Sequence, residues 1–283
     1  TDGGALFRWV ALLTGSKNAV KGLGFFLGAA LLGLFGFTAS LLTMATTLAL
    51  ILIAVIAFMP SGLPRGKQGT KFSAVFPKSP QVRALSLARI FLFGARDTWF
   101  VVGVPIFFYD VLTEGQPDGA AMAFQLVGAF MAVWVIFYGA VQALAPRILS
   151  KQSGTLPNTV IAAKTWVAVL CLIPAALALA AALQIPGLVS FMVAGLLLFG
   201  GVFALNSALH SYLILAFSRN DRVTLDVGFY YMSNAVGRLL GTLLSGLSYQ
   251  VSGVTGCLAT AALLTFICWV ATIRLTRVTA EPT

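Results

Sequence analysis

Long uninterrupted apolar runs are the feature that most constrains what this chain can fold into. They recur along all 283 residues, and each reaches the ~20 residues that a helix needs to cross the hydrocarbon core of a bilayer. Transmembrane β-strands are about half that length and alternate in polarity, which these runs do not. The sequence therefore predicts an all-α polytopic membrane protein. Its eight predicted spans lie near residues 19–38, 40–59, 86–112, 120–145, 159–184, 188–217, 224–249 and 254–276.

The charge content supports the same class and excludes several others. Only 9% of the residues are charged, against about 25% in soluble domains. These are too few charged side chains to cover a surface that faces water. A net charge of +10 is also found in proteins that bind nucleic acid. Here the basic residues lie between apolar spans, so the expected partner is a lipid bilayer, and no nucleic-acid binding is expected. Motifs for phosphate loops, nucleophile elbows or metal ligands are missing from the sequence. We expect no enzyme activity, no cofactor and no metal.

The distribution of Lys and Arg predicts the orientation of the chain. With eight spans, all segments that carry Lys or Arg between spans fall on one side, and the opposite loops carry none. The segment 60–85 is the richest, and one opposite loop carries Glu114 and Asp118. Basic loops stay in the cytoplasm. We therefore expect the N-terminal segment, the 60–85 linker and the C-terminus to be cytoplasmic.

A short repeat predicts how the spans are grouped. Asn18-Ala19-Val20-Lys21 resembles Asn234-Ala235-Val236-Gly237-Arg238, and each copy lies in the second span from the end of its block. Parallel six-helix repeats joined by a cytoplasmic linker are typical of the major facilitator fold. On this interpretation residues 1–59 hold the last two helices of an N-terminal half, residues 60–85 the linker and residues 86–283 a complete C-terminal half. Eight of twelve helices would be present.

Ionisable residues inside the spans are the first candidates for function, because they are costly in a bilayer. Arg96 and Arg238 lie deepest, near the midplane where transporters of this kind bind substrate. For Lys21 and Lys164 a cavity position and snorkelling to the headgroups are both open, whereas snorkelling is favoured for Arg89. Basic residues outnumber acidic ones in these spans.

Four polar residues of the 224–249 span recur every fourth position, which places them on one helix face. They are Asp226, Tyr230, Asn234 and Arg238. A cavity position is favoured for Asn234 and Arg238, and a helix-capping role for Asp226. A guanidinium can hold a phosphate, carboxylate or arsenate group through two hydrogen bonds. The predicted substrate-binding residues are Arg96, Arg238, Asn234, Tyr230 and Lys164.

The few acids and the histidine are candidates for proton coupling. These are Asp97, Asp226 and His210. Asp97 follows Arg96 directly, so it points about 100° away on a helix and is predicted to be a poor partner for it. His210 lies one turn after Asn206, and a satisfied hydrogen-bonding role is favoured over a proton relay.

Small residues spaced by four predict close helix packing. One pair is Gly237 and Gly241, and the related helix has Gly24 and Gly28.

The segments 13–26 (LTGSKNAVKGLGFF) and 226–242 (DVGFYYMSNAVGRLLGT) resemble the organoarsenical efflux permeases (ArsJ) of the major facilitator superfamily. The resemblance implies a bacterial inner-membrane exporter of 1-arseno-3-phosphoglycerate that confers arsenate resistance. It also implies a functional link to glyceraldehyde-3-phosphate dehydrogenase, which forms that compound from arsenate. Relative to this family, the chain is expected to lack the first four helices. The resemblance implies no set of binding residues.

Two other functions stay open at this point. One is a proton-coupled exporter of another small molecule or drug. The other is a membrane scaffold or receptor that transports nothing, since transporter-like folds can take such roles. A fully packed interior at Arg96 and Arg238 would favour the scaffold.

Overall fold

The computed structural model describes residues 3–60, 76–114, 119–152, 155–218 and 222–280. Within these ranges every regular element is helical, which confirms the predicted all-α class. A π-helical turn, Trp99–Gly103, continues α2 into α3. The helices are α1 (Gly3–Phe58), α2 (Pro80–Thr98), α3 (Val104–Thr113), α4 (Ala120–Ile148), α5 (Leu156–Ala182), α6 (Leu188–Phe217) and α7 (Val223–Ala280). Six helical segments of the described chain, counting α2 and α3 as one, are long and apolar enough to cross a membrane.

The two longest helices each contain a break. At about 1.5 Å per residue, the 56 residues of α1 would measure roughly 84 Å, far more than the ~30 Å hydrocarbon core. The helical geometry fails at Gly36, where φ is 72°, and again in α7 at Ser252 and Gly253, where φ at Gly253 is 58°. Glycine accepts these positive φ values without steric cost. Both breaks lie within a few residues of predicted boundaries between spans.

The start of α2 differs from the prediction. The linker was expected to reach residue 85, but α2 begins at Pro80, with the Ser79 hydroxyl accepting a bond from the Val82 amide at 3.4 Å. Val82 and Leu85 are buried in the core. The six residues 80–85 are too polar to resemble a span and are nevertheless the amphipathic first turns of this helix. Arg65, Lys67, Lys71 and Asp118, on which the orientation partly rests, lie outside the described residues.

Helix pairing organises the bundle. α2 packs along α7, α4 packs on α6, and α5 packs on both α6 and α7. α1 lies mainly along α4, and the two run antiparallel with small residues at the contact. Gly15 meets Gly139 and Ala143, and seven residues later Gly22 meets Ala132. The described residues of α1 after Ser40 are exposed along their whole length.

Two hydrophobic clusters fill the interior. The first surrounds Trp99, Trp134 and Phe199, whose rings meet edge-on at centroid distances near 5.4 Å. The second contains Leu85 of α2 and Leu209 of α6, with Phe7 of α1 packed into it. Along α2, α4 and α6 the two clusters meet at one level. Polar side chains occupy that level, and they belong to the candidate site.

Candidate functional site

Backbone contact between α2 and α7 creates the geometry of the site. A Cβ atom added to Gly241 would lie 2.5 Å from the Gly94 carbonyl oxygen and 2.9 Å from Asp97 Cβ. A Cβ atom on Gly237 would collide with the Ile90 carbonyl group. Such close approach requires glycine, so these two glycines lie where the sequence predicts packing. Gly24 and Gly28 differ, because a Cβ atom on either would meet no described atom within 4 Å.

An ion-paired triad forms beside this contact. Asp97 Oδ1 accepts a hydrogen bond from Arg96 Nε at 2.6 Å, and Asp97 Oδ2 accepts one from Arg238 Nε at 3.0 Å. The Asp97 side chain is 2% exposed, that of Arg96 14% and that of Arg238 54%. The prediction that Asp97 is a poor partner for Arg96 is therefore wrong. The angle between adjacent residues separates their Cβ atoms, but the long arginine side chain bends back across it.

Lys21 of α1 is exposed, and α1 packs on α4 and α6 rather than on α2 or α7 in the described chain. Arg96 lies halfway along the 34-residue Pro80–Thr113 segment. Lys21 lies about midway between the start of α1 and its break, and Arg238 midway between the start of α7 and its break. We call Arg96, Arg238 and Asp97 the basic cluster. It joins α2 and α7 at mid-height.

Arg89 forms a second, buried site that sequence reasoning assigned to the membrane surface. It is 4% exposed. Its Nε donates to Asn234 Oδ1 at 3.2 Å and its Nη1 to Ser207 Oγ at 3.3 Å. The guanidinium carbon lies 3.8 Å from the centre of the Phe93 ring and 4.8 Å from that of Tyr230, distances at which cation–π attraction contributes. The snorkelling prediction for Arg89 is wrong, because partners on α6 and α7 hold it inside the bundle.

Ser207 extends this network to a fourth helix. Its hydroxyl is also contacted by Tyr138 Oη at 3.1 Å and Gln142 Nε2 at 3.2 Å, both on α4. The network therefore links α2, α4, α6 and α7. The sequence contains one indication that Arg89 faces the interior. Arg89, Phe93 and Arg96 are spaced by four and three residues, so they share one face of α2.

The predicted polar stripe of α7 is divided between these sites. Tyr230 is buried and Asn234 half-buried, and both contact Arg89. The cavity position favoured for Asn234 stays a prediction. Arg238 alone reaches the exposed side of the basic cluster. Asp226 lies near the helix start, 3.9 Å from Arg222. Lys164 is half-buried on α5, which packs on α7 but does not contact α2 in the described chain. Its assignment to the substrate site stays a prediction.

His210 departs from its favoured interpretation. It is fully buried, and neither ring nitrogen has a hydrogen-bond partner among the described residues. Asn206 donates to the Val202 carbonyl at 3.1 Å, whereas its Oδ1 is likewise without a described partner. The prediction of a satisfied histidine is therefore wrong, because the residues one turn away on α6 bond to the backbone or to Arg89.

The chemistry available at the basic cluster is anion binding. Two arginines share one carboxylate, and Arg238 uses only its Nε in the hydrogen bonds that the described chain makes with it. Its two terminal nitrogens form the fork that matches a phosphate, arsenate or carboxylate group. Comparison with protein-family models, with characterised proteins and with solved structures finds no match to this chain.

Proposed function

We propose that this protein is a membrane transporter that binds a small anion at the basic cluster and moves it across the bilayer by alternating access. The observation that carries the proposal is the mid-height position of Arg96 and Arg238 around the single carboxylate of Asp97. The single carboxylate cannot neutralise all of the positive charge at mid-height. An anionic substrate would neutralise it.

The exposure of Arg238 adds weight to this proposal. Its side chain is 54% exposed, and a charged group facing hydrocarbon at this depth is expensive. The face that carries Arg238 therefore lines a water-filled cavity or meets further protein. A cavity at the repeat interface is where transporters of the proposed class hold their substrates.

Helix pairing supports a major facilitator type of fold. Let the segments from Pro80 onward be counted one to six, with α7 divided at Ser252 and Gly253. Segment one pairs with five where Gly94 meets Gly241, and segment two pairs with four where Trp134 donates to the Leu196 carbonyl at 2.7 Å. If segments one, two and three are exchanged with segments four, five and six in that order, the pair one–five becomes the pair four–two. Nested repeats of this kind occur in each half of major facilitator proteins.

The remaining span assignment follows from the same proposal. Division of α1 at Gly36 gives two spans, which would be the last two of an N-terminal half. With six more from Pro80 onward, the count is eight. The N-terminal segment, the 60–85 linker and the C-terminus are then cytoplasmic. The membrane is the bacterial inner membrane.

The substrate that we propose is the organoarsenical 1-arseno-3-phosphoglycerate. It is supported by the resemblance of residues 13–26 and 226–242 to the arsenical permeases and by the positive excess of the basic cluster. Glyceraldehyde-3-phosphate dehydrogenase would supply it. Export would then confer arsenate resistance.

Neither alternative gains from the site. A proton-coupled exporter needs a free membrane carboxylate, but Asp97 is held by two arginines and Asp226 lies beside Arg222. A scaffold would pack its interior around Arg238, whose side chain is instead more than half exposed.

The test is arsenate survival of sensitive cells that contain the dehydrogenase. We expect the protein to raise survival and Arg238→Ala to remove most of the gain. Arg274→Ala, an exposed arginine of the same helix, is the matched control and should keep it. Full resistance of Arg238→Ala at equal protein level in the membrane would refute the role of this residue.

A further inference from the structure

Arg89 is a buried cation without an acidic partner in the described chain. The residue is 4% exposed, and its hydrogen bonds run from Nε to the Asn234 amide oxygen and from Nη1 to the Ser207 hydroxyl, which are both neutral groups. A guanidinium keeps its charge inside a protein, and a buried charge is costly unless an opposite charge compensates it. Asp97 does not compensate it, because each of its oxygens already accepts a hydrogen bond from an arginine of the basic cluster.

Phe93 separates this cation from the basic cluster. Its ring centre lies 3.8 Å from the guanidinium carbon of Arg89 and 4.8 Å from that of Arg96. The three residues follow one another along the same face of α2, so the ring lies between the two guanidinium groups. Because Arg96 is itself a cation, this neighbour adds to the positive potential at Arg89 and does not reduce it.

Two hydroxyl groups without a partner lie beside Arg89. Ser86 precedes Arg89 by three residues on α2, and Tyr230 precedes Asn234 by four on α7. The glycine contacts between α2 and α7 advance in the same direction along both helices, so the helices run parallel. Ser86 and Tyr230 therefore both lie about one turn to the same side of the bond between Arg89 and Asn234.

The environment of these two hydroxyl groups points to a ligand. Ser86 and Tyr230 are each 1% exposed, and neither hydroxyl has a hydrogen-bond partner among the described residues. The centre of the Tyr230 ring lies 4.8 Å from the guanidinium carbon of Arg89. Buried polar groups are almost always hydrogen-bonded. Two unpartnered donors next to a cation that lacks a counter-ion are what an anion-binding site provides.

We propose that Arg89, Ser86 and Tyr230 form a binding site for a monatomic halide ion, which is chloride in physiological solutions. A halide compensates the guanidinium charge, which a water molecule cannot do. It accepts hydrogen bonds from the two hydroxyl groups and from Arg89 Nη2, a nitrogen that no hydrogen bond of the described chain uses. Because all three residues are almost fully buried, the site excludes metabolite-sized anions. It is distinct from the basic cluster and does not depend on the function proposed for that cluster.

The test is the thermal stability of the purified protein in detergent when sodium gluconate is replaced by sodium chloride or sodium bromide at constant ionic strength. An ion that binds only the folded state raises Tm, by about 3 °C if its dissociation constant is about 10 mM and its concentration about 100 mM. We expect this rise in the unsubstituted protein and in Arg83→Gln, which alters an exposed arginine of α2. Arg89→Gln should abolish the rise, and Arg238→Gln, in the basic cluster, should keep it.

A milder variant keeps the test informative if Arg89→Gln fails to fold. Tyr230→Phe retains the ring beside the guanidinium and loses only the hydroxyl. Loss of one hydrogen bond to a charged ligand should raise the chloride concentration that gives half of the Tm rise by about tenfold or more. Tyr231→Phe is the matched control, because Tyr231 is adjacent in sequence and 57% exposed, and it should leave that concentration unchanged.

The outcomes separate this proposal from water binding and from the basic cluster. Equal Tm values in chloride and gluconate would overturn it. A rise that persists in Arg89→Gln and disappears in Arg238→Gln would assign the ion to the basic cluster and would also overturn it. Equal chloride responses of Tyr230→Phe and Tyr231→Phe would refute the role of the Tyr230 hydroxyl. Arsenate survival tests the proposed function independently, so either result can fail while the other stands.

Discussion

Replacement of Gly241 by alanine tests whether the α2–α7 backbone contact determines the geometry of the basic cluster. The new Cβ atom would lie 2.5 Å from the Gly94 carbonyl oxygen, whereas ordinary contacts begin at 3.4 Å. The helices must therefore separate by about 0.9 Å at this point. Added to the 3.0 Å bond between Arg238 Nε and Asp97 Oδ2, this displacement gives up to about 3.9 Å, beyond hydrogen-bonding range.

The expected result has a stability part and a binding part. Overpacking of this kind costs about 1–3 kcal/mol, which corresponds to a fall in Tm of about 2–5 °C for a chain of this size. Anion binding should weaken as well, since Arg238 loses its anchor. Thermal unfolding in detergent, followed by circular dichroism, measures the first effect, and binding of glycerol 3-phosphate measures the second.

Gly246→Ala is the matched control for this experiment. Gly246 lies on the same helix, and a Cβ atom there meets no described atom within 4 Å. Alanine is favoured over glycine inside a helix by about 0.5–1 kcal/mol, so this variant should keep or raise Tm. Equal effects of the two substitutions on Tm and on binding would refute the reasoning from helix contact.

Three further predictions concern the buried network and the orientation. Arg89→Ala should lower Tm by a few degrees because it removes the hydrogen bonds to the half-buried Asn234 side chain and the buried Ser207 hydroxyl, at a cost of about 1–3 kcal/mol. Arg83→Ala, exposed on the same helix, should leave Tm unchanged, and equal melting curves would contradict the network. His210→Leu should keep or raise Tm, since the imidazole has no described hydrogen-bond partner to lose, and a clear fall would reveal a partner. Cysteines introduced by Lys78→Cys and Glu114→Cys should react with an impermeant maleimide from opposite sides of the membrane, and labelling from the same side would refute the predicted topology.

The helices were predictable because the signal that specifies them is local. An apolar run of sufficient length has to be helical in a bilayer, whatever it later packs against. The first turns of α2 were missed because residues 80–85 include Arg83 and are too polar for a span. Only their packing into the core, through Val82 and Leu85, makes them part of the helix.

The positions of the candidate residues along their helices were predictable, but their contacts were not. The depth of Arg96 and Arg238 follows from counting residues along a span. The burial of Arg89 depends on Ser207, 118 residues away in the sequence. The spacing of Arg89, Phe93 and Arg96 indicates that they share one face of α2 but does not identify that partner. The Asp97 bridge likewise depends on where α7 lies against α2, which the sequence leaves open.

The glycine contact between α2 and α7 has a consequence for how these helices can move. Gly237 meets Ile90, and four residues further along each helix Gly241 meets Gly94. The contact surface thus repeats itself after one helical turn, about 5.4 Å. Sliding by one turn would bring Gly241 to the level of Ile90 and Ser245 to that of Gly94, so small side chains again face the contact. Arg238 would meanwhile be carried a full turn from its carboxylate. The bond between Arg238 and Asp97 therefore belongs to one register of this contact, the one that the structure shows.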